Sequence, residues 1–267
     1  IYDRPLVAED GSPDTVMTVN YDIDRKLFAS ISNWTVGQLK DFILSHAAEE
    51  EASRIGRSAL TGVMVAAVAK LMDVHELVYA SRTLARTVTR ARTELGAPGT
   101  LSSRLQPNHQ VDDPDGIKAL VLAGLSLGQG DCLLGLNPAI DNVKNITRAL
   151  RMLDSVRRRL GVPTQVCVLA HIRTQMACLE EGAPVEVLFQ SSEGTDRCLN
   201  EFDISVPLLD EEFMAKYGDG VLATEARERG EPAPPNFLYY ETGQGSASSL
   251  GADHGVDMST VEELDYV

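Results

Sequence analysis

Arg104, Gln106, Asn137, His171, Gln190 and Glu241 carry groups that could hold a small ligand, and each stands at or near the end of a short apolar run. The runs are Thr100-Leu-Ser-Ser-Arg-Leu-Gln-Pro-Asn108, Cys132-Leu-Leu-Gly-Leu-Asn-Pro138, Val166-Cys-Val-Leu-Ala-His171, Val185-Glu-Val-Leu-Phe-Gln-Ser191 and Phe237-Leu-Tyr-Tyr-Glu-Thr-Gly-Gln244. A guanidinium donates to an oxygen, a carboxylate accepts from a hydroxyl or an ammonium, and an amide does either. Together they suit a small, polar, partly cationic molecule. Arg104 and Gln106 flank Leu105, so on an extended chain both point to one side. No His/Cys/Asp cluster has metal-ligand spacing, and no Ser–His pair sits in an elbow motif. A site that binds without a nucleophile or metal of its own points to a cofactor for the difficult chemistry.

The elements that must position these groups alternate strand with helix. Asp113-Pro114 reads as an N-cap followed by proline in the first turn. From Asn142 to Leu160, Val143, Ile146, Leu150, Leu153, Val156 and Leu160 recur three or four apart, and Arg157, Arg158 and Arg159 suit the negative end of that helix. Gly161 and Pro163 end it. Residues 174–181 and 195–202 read as further crossover helices, and 227–235 as a proline-rich loop. Apolar runs separated by helices predict parallel strands buried on both faces, whose carboxyl ends share one mouth. Either a (β/α)8 barrel of the TIM type or a doubly wound sheet would do this. No Gly-rich phosphate loop follows the first run, and Gly128-Gln-Gly130 precedes the second, so the barrel is favoured. The reading is an α/β chain with about five of eight barrel strands in residues 97–267, preceded by an extended and helical region over 1–96. Within that region residues 1–30 read as irregular. Thr35-Val-Gly-Gln38 fits a capping box, Ala59 to Met72 reads as a helix buried nearly all round, and Leu77 to Ala91 as a basic helix bearing Arg82, Arg86 and Arg90, with Arg92 just beyond.

At 267 residues, 43% of them hydrophobic, the chain can bury a sizeable core. Its 24 Lys plus Arg against 39 Asp plus Glu leave −15, which disfavours nucleic acid or an anionic membrane as the main partner. The longest apolar run, Val63 to Ala69, falls well short of the roughly 20 residues that span a bilayer. Cys132, Cys167, Cys178 and Cys198 form no CxxC pair; a reducing cytoplasm fits them. No secretory signal is visible, and a start at Ile1 suggests that a preceding segment was removed or not included.

Pro98-Gly-Thr-Leu-Ser-Ser-Arg-Leu-Gln-Pro-Asn108, Gly135-Leu-Asn-Pro138, Cys167-Val-Leu-Ala-His171, Phe189-Gln-Ser191 and Glu241-Thr-Gly-Gln-Gly-Ser-Ala247, in that order, resemble the large subunit of ethanolamine ammonia-lyase. The resemblance runs from about Trp34 to near the end. It implies a barrel whose mouth faces adenosylcobalamin, radical deamination of ethanolamine to acetaldehyde and ammonia, and a hetero-oligomer with a small subunit. It implies a cytoplasmic location too, and a protein-shelled bacterial microcompartment is common for this pathway. Carried over by motif, Arg104 and Glu241 hold the substrate hydroxyl as the catalytic pair, Gln106 and Asn137 hold the amino group, and Pro138, Gln190 and Ser249 touch the cobalamin. The family barrel needs three further strands and a late carboxylate that have no counterpart here, so the expectation is that another segment or chain completes it. The alternatives left open are a truncated, non-catalytic homologue that binds a partner chain as a scaffold, and a metal-dependent barrel lyase, disfavoured by the absent ligand set.

Overall fold

The structure, a computed structural model, describes residues 7, 10–20, 22–45, 49–83, 88–97, 99–191, 195–209, 220–231 and 237–241. By its contacts the chain divides into two units, residues 1–86 with 192–207 and 242–267, and residues 87–191 with 208–241.

Apart from an antiparallel bridge between Val7 and Pro13, the elements described in residues 1–86 of the first unit are helices: α1 (Thr15–Asn20), α2 (Arg25–Ile31), α3 (Val36–Ile43), α4 (Glu49–Ser58), α5 (Gly62–Lys70) and α6 (Val74–Thr83). The capping box is present, Thr35 accepting from the Gln38 amide while Gln38 accepts from the Thr35 amide at 2.8 Å. Leu27, Ile31, Ile55 and Ala59 form one core cluster, and Leu39, Ile43, Val68 and Ala80 another. Residues 1–30 were expected to be irregular, but their described part contains α1 and α2. Two aspartates among the Gly and Pro residues do the capping: Asp14 accepts from Val16 N, and Asp24 from Lys26 N and Leu27 N. The helix expected over 59–72 starts instead after its cap Thr61, and Val65 and Leu71 remain 48% and 52% exposed. The helix expected to reach Ala91 stops as α6 at Thr83, and Thr89 and Arg90 lie in a strand.

The second unit holds the strands. A short antiparallel ribbon, β1 (Thr89–Arg90) and β2 (Glu94–Leu95), precedes β3 (Arg104–Leu105), α7 (Pro114–Ser126), β4 (Leu133–Leu136), α8 (Val143–Leu160), β5 (Gln165–Val168), α9 (Ile172–Glu180) and β6 (Leu188–Ser191). After α10 (Asp196–Glu201) come α11 (Val221–Glu228) and β7 (Leu238–Glu241). The helix expected over 195–202 is thus α10, and it groups with the first unit, where Asp196 accepts from Thr15 N. β3, β4 and β5 pair in parallel, as do β6 and β7, and a parallel bridge between Cys167 and Val187 joins the two groups. The fold is therefore α/β with parallel strands in chain order, and among the described residues the strands do not close into a ring.

Each expected strand is present, though shorter than its apolar run. Ser103 shows why. Its N–H and hydroxyl are taken by Asp131 at 2.8 and 2.9 Å, leaving only its carbonyl, which accepts from Cys132 N at 3.1 Å, to reach toward β4, and β3 starts at Arg104. The helices follow their caps. Asp113 accepts from Gly116 N ahead of Pro114, and Asn142 accepts from Asn145 N. Gly161 ends α8 at φ 64°, in the left-handed region, with open space where a Cβ would stand. The backbone alone sets the cost of a side chain there, so Gly161→Ala should lower unfolding free energy by about 1 kcal/mol, measured as a shift of the urea midpoint.

Candidate functional site

A flat sheet would hold β3 and β7, the first and fifth of the parallel strands, about 19 Å apart. Yet Arg104 Nη1 lies 2.5 Å from Glu241 Oε2, a contact their side chains cannot make across that distance. The strands therefore curl, and Arg104 and Glu241 meet on the concave face. The register places Leu133, Gly135, Cys167, Val187, Phe189 and Tyr239 on that same face, because residues paired across parallel strands share a side. Below the meeting point Leu133, Cys167, Val187 and Phe189 form a packed floor with Leu222, and Cys132, Leu169 and Tyr239 lie against it. Burial pushes the Cys167 thiol up, so it stays protonated and packs as a small apolar group.

The polar cluster is closed on itself. Arg104 Nη1 donates to Glu241 Oε2 and to the Tyr239 hydroxyl, and Nη2 donates to Gln106 Oε1 at 2.7 Å. The Tyr239 hydroxyl donates in turn to Glu241 Oε2 at 2.6 Å. Burial works against the Arg104 charge, but the bonds and charges of Glu241 and Tyr239 together outweigh it and hold the guanidinium above its usual value. Burial and then the Glu241 bond push the Tyr239 phenol up, so it remains a donor. The side chains of Arg104 and Glu241 are 26% and 37% exposed, so the mouth is open on one side. Tyr239 was not among the expected site residues. Period-two alternation with Glu241 was the available signal, since residues two apart on a strand share a face.

Gly135 is what lets Arg104 cross to Glu241. A Cβ at Gly135 would stand 3.1 Å from Arg104 Cδ and 3.3 Å from Leu133 Cδ2, tighter than side chains normally pack. Gly135→Ala should therefore push the Arg104 side chain aside by a few tenths of an ångström and weaken its bonds to Glu241 and Gln106. A weakened hydrogen bond here is worth about 1–2 kcal/mol, so the thermal midpoint should fall by a few degrees, as read by circular dichroism.

The other expected residues are distributed as follows. Asn137 is exposed beyond β4 on the Gly135 side, and its backbone N–H is held by Asn108 Oδ1 at 2.9 Å. Pro138, beside it, is half-buried. A buried carboxylate missed in the sequence fixes this turn: Asp112, at φ 50°, accepts from Ala139 N, Ile140 N and Asn145 Nδ2 at 2.9, 2.9 and 2.7 Å. Of the adjacent aspartates before Pro114, Asp113 caps α7 and Asp112 clamps the loop. Gln190 pairs with Tyr240, so it faces away from the concave side. It is buried, its Oε1 accepting from Ile172 N at 2.9 Å and its Nε2 donating to Ser191 O at 3.0 Å. His171 is the N-cap of α9, with Nδ1 accepting from Arg173 N. Ser249 lies outside the described residues. The structure thus brings Arg104, Gln106 and Glu241 together, sets Asn137 and Pro138 on the neighbouring strand end, and gives the Gln190 amide to the backbone.

At the amino ends of the strands lies a second charged group. Glu186, whose side chain is fully buried, pairs with Arg92 and with Arg157 Nη2 at 3.2 Å and accepts from Val166 N at 2.7 Å. Glu225 pairs with Arg92 and with Arg158 at 3.1 Å. In parallel α/β sheets this end serves stability and the carboxyl end serves chemistry.

Such a molecule is an α/β protein with a polar cluster at the carboxyl ends of curled parallel strands. Comparison with known proteins narrows this. A family profile described as the ethanolamine ammonia lyase large subunit (EutB) matches residues 1–267. The chain belongs to the ethanolamine ammonia-lyase large-subunit family. It is 37% identical over 266 residues to the ethanolamine ammonia-lyase large subunit of Escherichia coli, and 38% identical over 266 residues to that of Salmonella typhimurium. Both alignments cover 100% of this chain and 56% of the relative, so the chain spans about half the length of the curated relatives it matches. Among the described residues no helix is long and apolar enough to cross a membrane, and no group of three or more His, Cys, Asp and Glu could hold a metal ion.

Proposed function

We propose that this chain supplies five strands of a (β/α)8 barrel to an adenosylcobalamin-dependent ammonia-lyase that converts ethanolamine to acetaldehyde and ammonia. The contact that carries the reading is Arg104 Nη1 to Glu241 Oε2 across the concave face, at strand ends shared with Gln106. Strand order in sequence and curling between β3 and β7 support the barrel, with residues 97–267 belonging to it and an extended and helical region over 1–96 preceding it.

The residues suit the cofactor. The mouth is open on one side, its floor is packed and apolar, and its polar groups are an arginine, a glutamate, a tyrosine and amides, which bind and orient. Pro138, on the β4 end, is proposed to touch the cobalamin, as is Ser249, which lies outside the described residues, while Gln190 holds the β6 end and the start of α9 in place through the backbone. When bound, adenosylcobalamin supplies the radical that removes a hydrogen atom from the carbinol carbon. The protein's own residues do the rest. Arg104 donates to the substrate hydroxyl oxygen and Glu241 accepts its proton in a hydrogen bond, which fixes the carbinol carbon and favours the polarised hydroxyl of the rearranging substrate. Gln106 and Asn137 accept from the ammonium. The packed floor excludes water from beneath. A small subunit and a further carboxylate for the ammonium complete the assembly.

The full-length large subunit, mixed with its small partner, adenosylcobalamin and ethanolamine, should release acetaldehyde and ammonia, read by a coupled alcohol dehydrogenase. A scaffold subunit would give no aldehyde and no change in the cobalamin spectrum.

A further inference from the structure

The Tyr239 hydroxyl makes two bonds at once, accepting from Arg104 Nη1 and donating to Glu241 Oε2 at 2.6 Å. Those are the bonds assigned above to the hydroxyl of the substrate. We propose that the Tyr239 phenol is a placeholder, occupying the hydroxyl subsite between Arg104 and Glu241 until the hydroxyl of a 2-aminoalcohol displaces it, and so selecting ligands that bring a hydroxyl. This rests on the functional reading above and adds to it a residue that competes with the substrate.

The geometry supports exchange in place of a permanent bond. Tyr239 and Glu241 alternate on β7, so the phenol reaches the carboxylate along its own strand while Arg104 crosses from β3. The ring is anchored independently of its hydroxyl: it packs edge-on against Phe189, centroids 5.5 Å apart, above the apolar floor. The Arg104 guanidinium carbon lies 5.6 Å from the ring centroid. A small rotation of the ring would free the oxygen while these ring contacts persist. Arg104 and Glu241 also pair directly, so they keep each other as partners when the phenol leaves, and its departure costs only the two phenol bonds. An amine without a hydroxyl cannot replace those two bonds, so it has no means of displacing the phenol.

Isothermal calorimetry on the full-length subunit assembled with its small partner tests this with two probes, ethanolamine and ethylamine. Tyr239→Phe keeps the ring and removes the competitor, so ethanolamine should bind about 3- to 10-fold tighter to the variant than to the wild type. Ethylamine should bind both equally. Weaker ethanolamine binding by the variant would make Tyr239 a direct substrate contact and overturn the placeholder, and so would an equal change for both probes. As a measurement independent of the variant, ethanolamine added to the cobalamin-free wild type should give a tyrosine difference spectrum that ethylamine does not produce; no such difference would overturn the proposal. If the wild type binds ethanolamine no differently from Glu241→Gln, the functional reading itself fails, and this inference with it.

Discussion

Glu241→Gln in the full-length subunit should lower kcat/KM for ethanolamine by about 100- to 1,000-fold, the usual effect of deleting one preorganised charged partner at a reacting group. The substitution keeps the shape and removes the charge. It also sets an amide where Arg104 now meets a carboxylate oxygen at 2.5 Å, so one rotamer of the amide points a donor at a donor. The fold should be retained, because Glu241 stands at a partly exposed strand end, outside the packed floor of Leu133, Cys167, Val187 and Phe189. Far-UV circular dichroism checks that retention while steady-state kinetics checks the loss. Glu241→Asp, which keeps the charge but shortens the reach, should recover part of it. Equal activity of wild type and Glu241→Gln would leave the carboxylate as a mere partner of Arg104.

The largest expected effect on stability lies at the opposite end of the strands. Glu186→Ala should destabilise the protein by about 1.5–3 kcal/mol, because buried Arg92 and Arg157 each lose one of two carboxylate partners, keeping Glu225 and Asp154. Arg92 and Arg157 both converge on Glu186, and their side chains are nearly as buried as the carboxylate. The backbone N–H of Val166, at the start of β5, also loses its acceptor. Urea unfolding of the variant, with activity at saturating substrate little altered once folded, would separate this role from the one at the mouth.

The two carboxylates of this network respond oppositely to acid. Burial raises Glu186 above the usual carboxylate range more than Arg92 and Arg157 lower it, so its protonated form is favoured on folding. That contribution is present at low pH and is lost as pH rises through its folded value. Burial opposes ionisation of Glu225 as well, but the Arg92 bond and charge win and hold it low. Its contribution is present above the ordinary carboxylate value and disappears as pH falls through its lowered one. Glu225→Gln should therefore flatten the acid limb of a stability–pH curve measured by urea midpoints.

What could be read from the sequence was what local chemistry decides. The helix after Asn142 declared both its ends, through the Asn142 cap and the left-handed Gly161. The strand centres were legible as apolar runs, whereas their lengths were not, because Asp131 takes the Ser103 N–H from 28 residues away. Arg104, Gln106 and Glu241 were legible as a set through their motifs. The face of Gln190 was not, because it depends on the register that pairs it with Tyr240. Tyr239 was hidden by its aromatic neighbours, which read equally well as strand packing. Gly135 carried no mark of its role until the path of Arg104 was known. The group of Arg92, Arg157, Glu186 and Glu225 joins four distant parts of the chain, and no spacing rule connects them.

A crystal structure of the full-length subunit with ethanolamine tests the site most directly. The ligand hydroxyl should lie within hydrogen-bond distance of both an Arg104 guanidinium nitrogen and a Glu241 carboxylate oxygen, with its ammonium toward Gln106 and Asn137. Ethanolamine bound elsewhere, with Arg104 still closed on Glu241 and no ligand atom touching either, would contradict it.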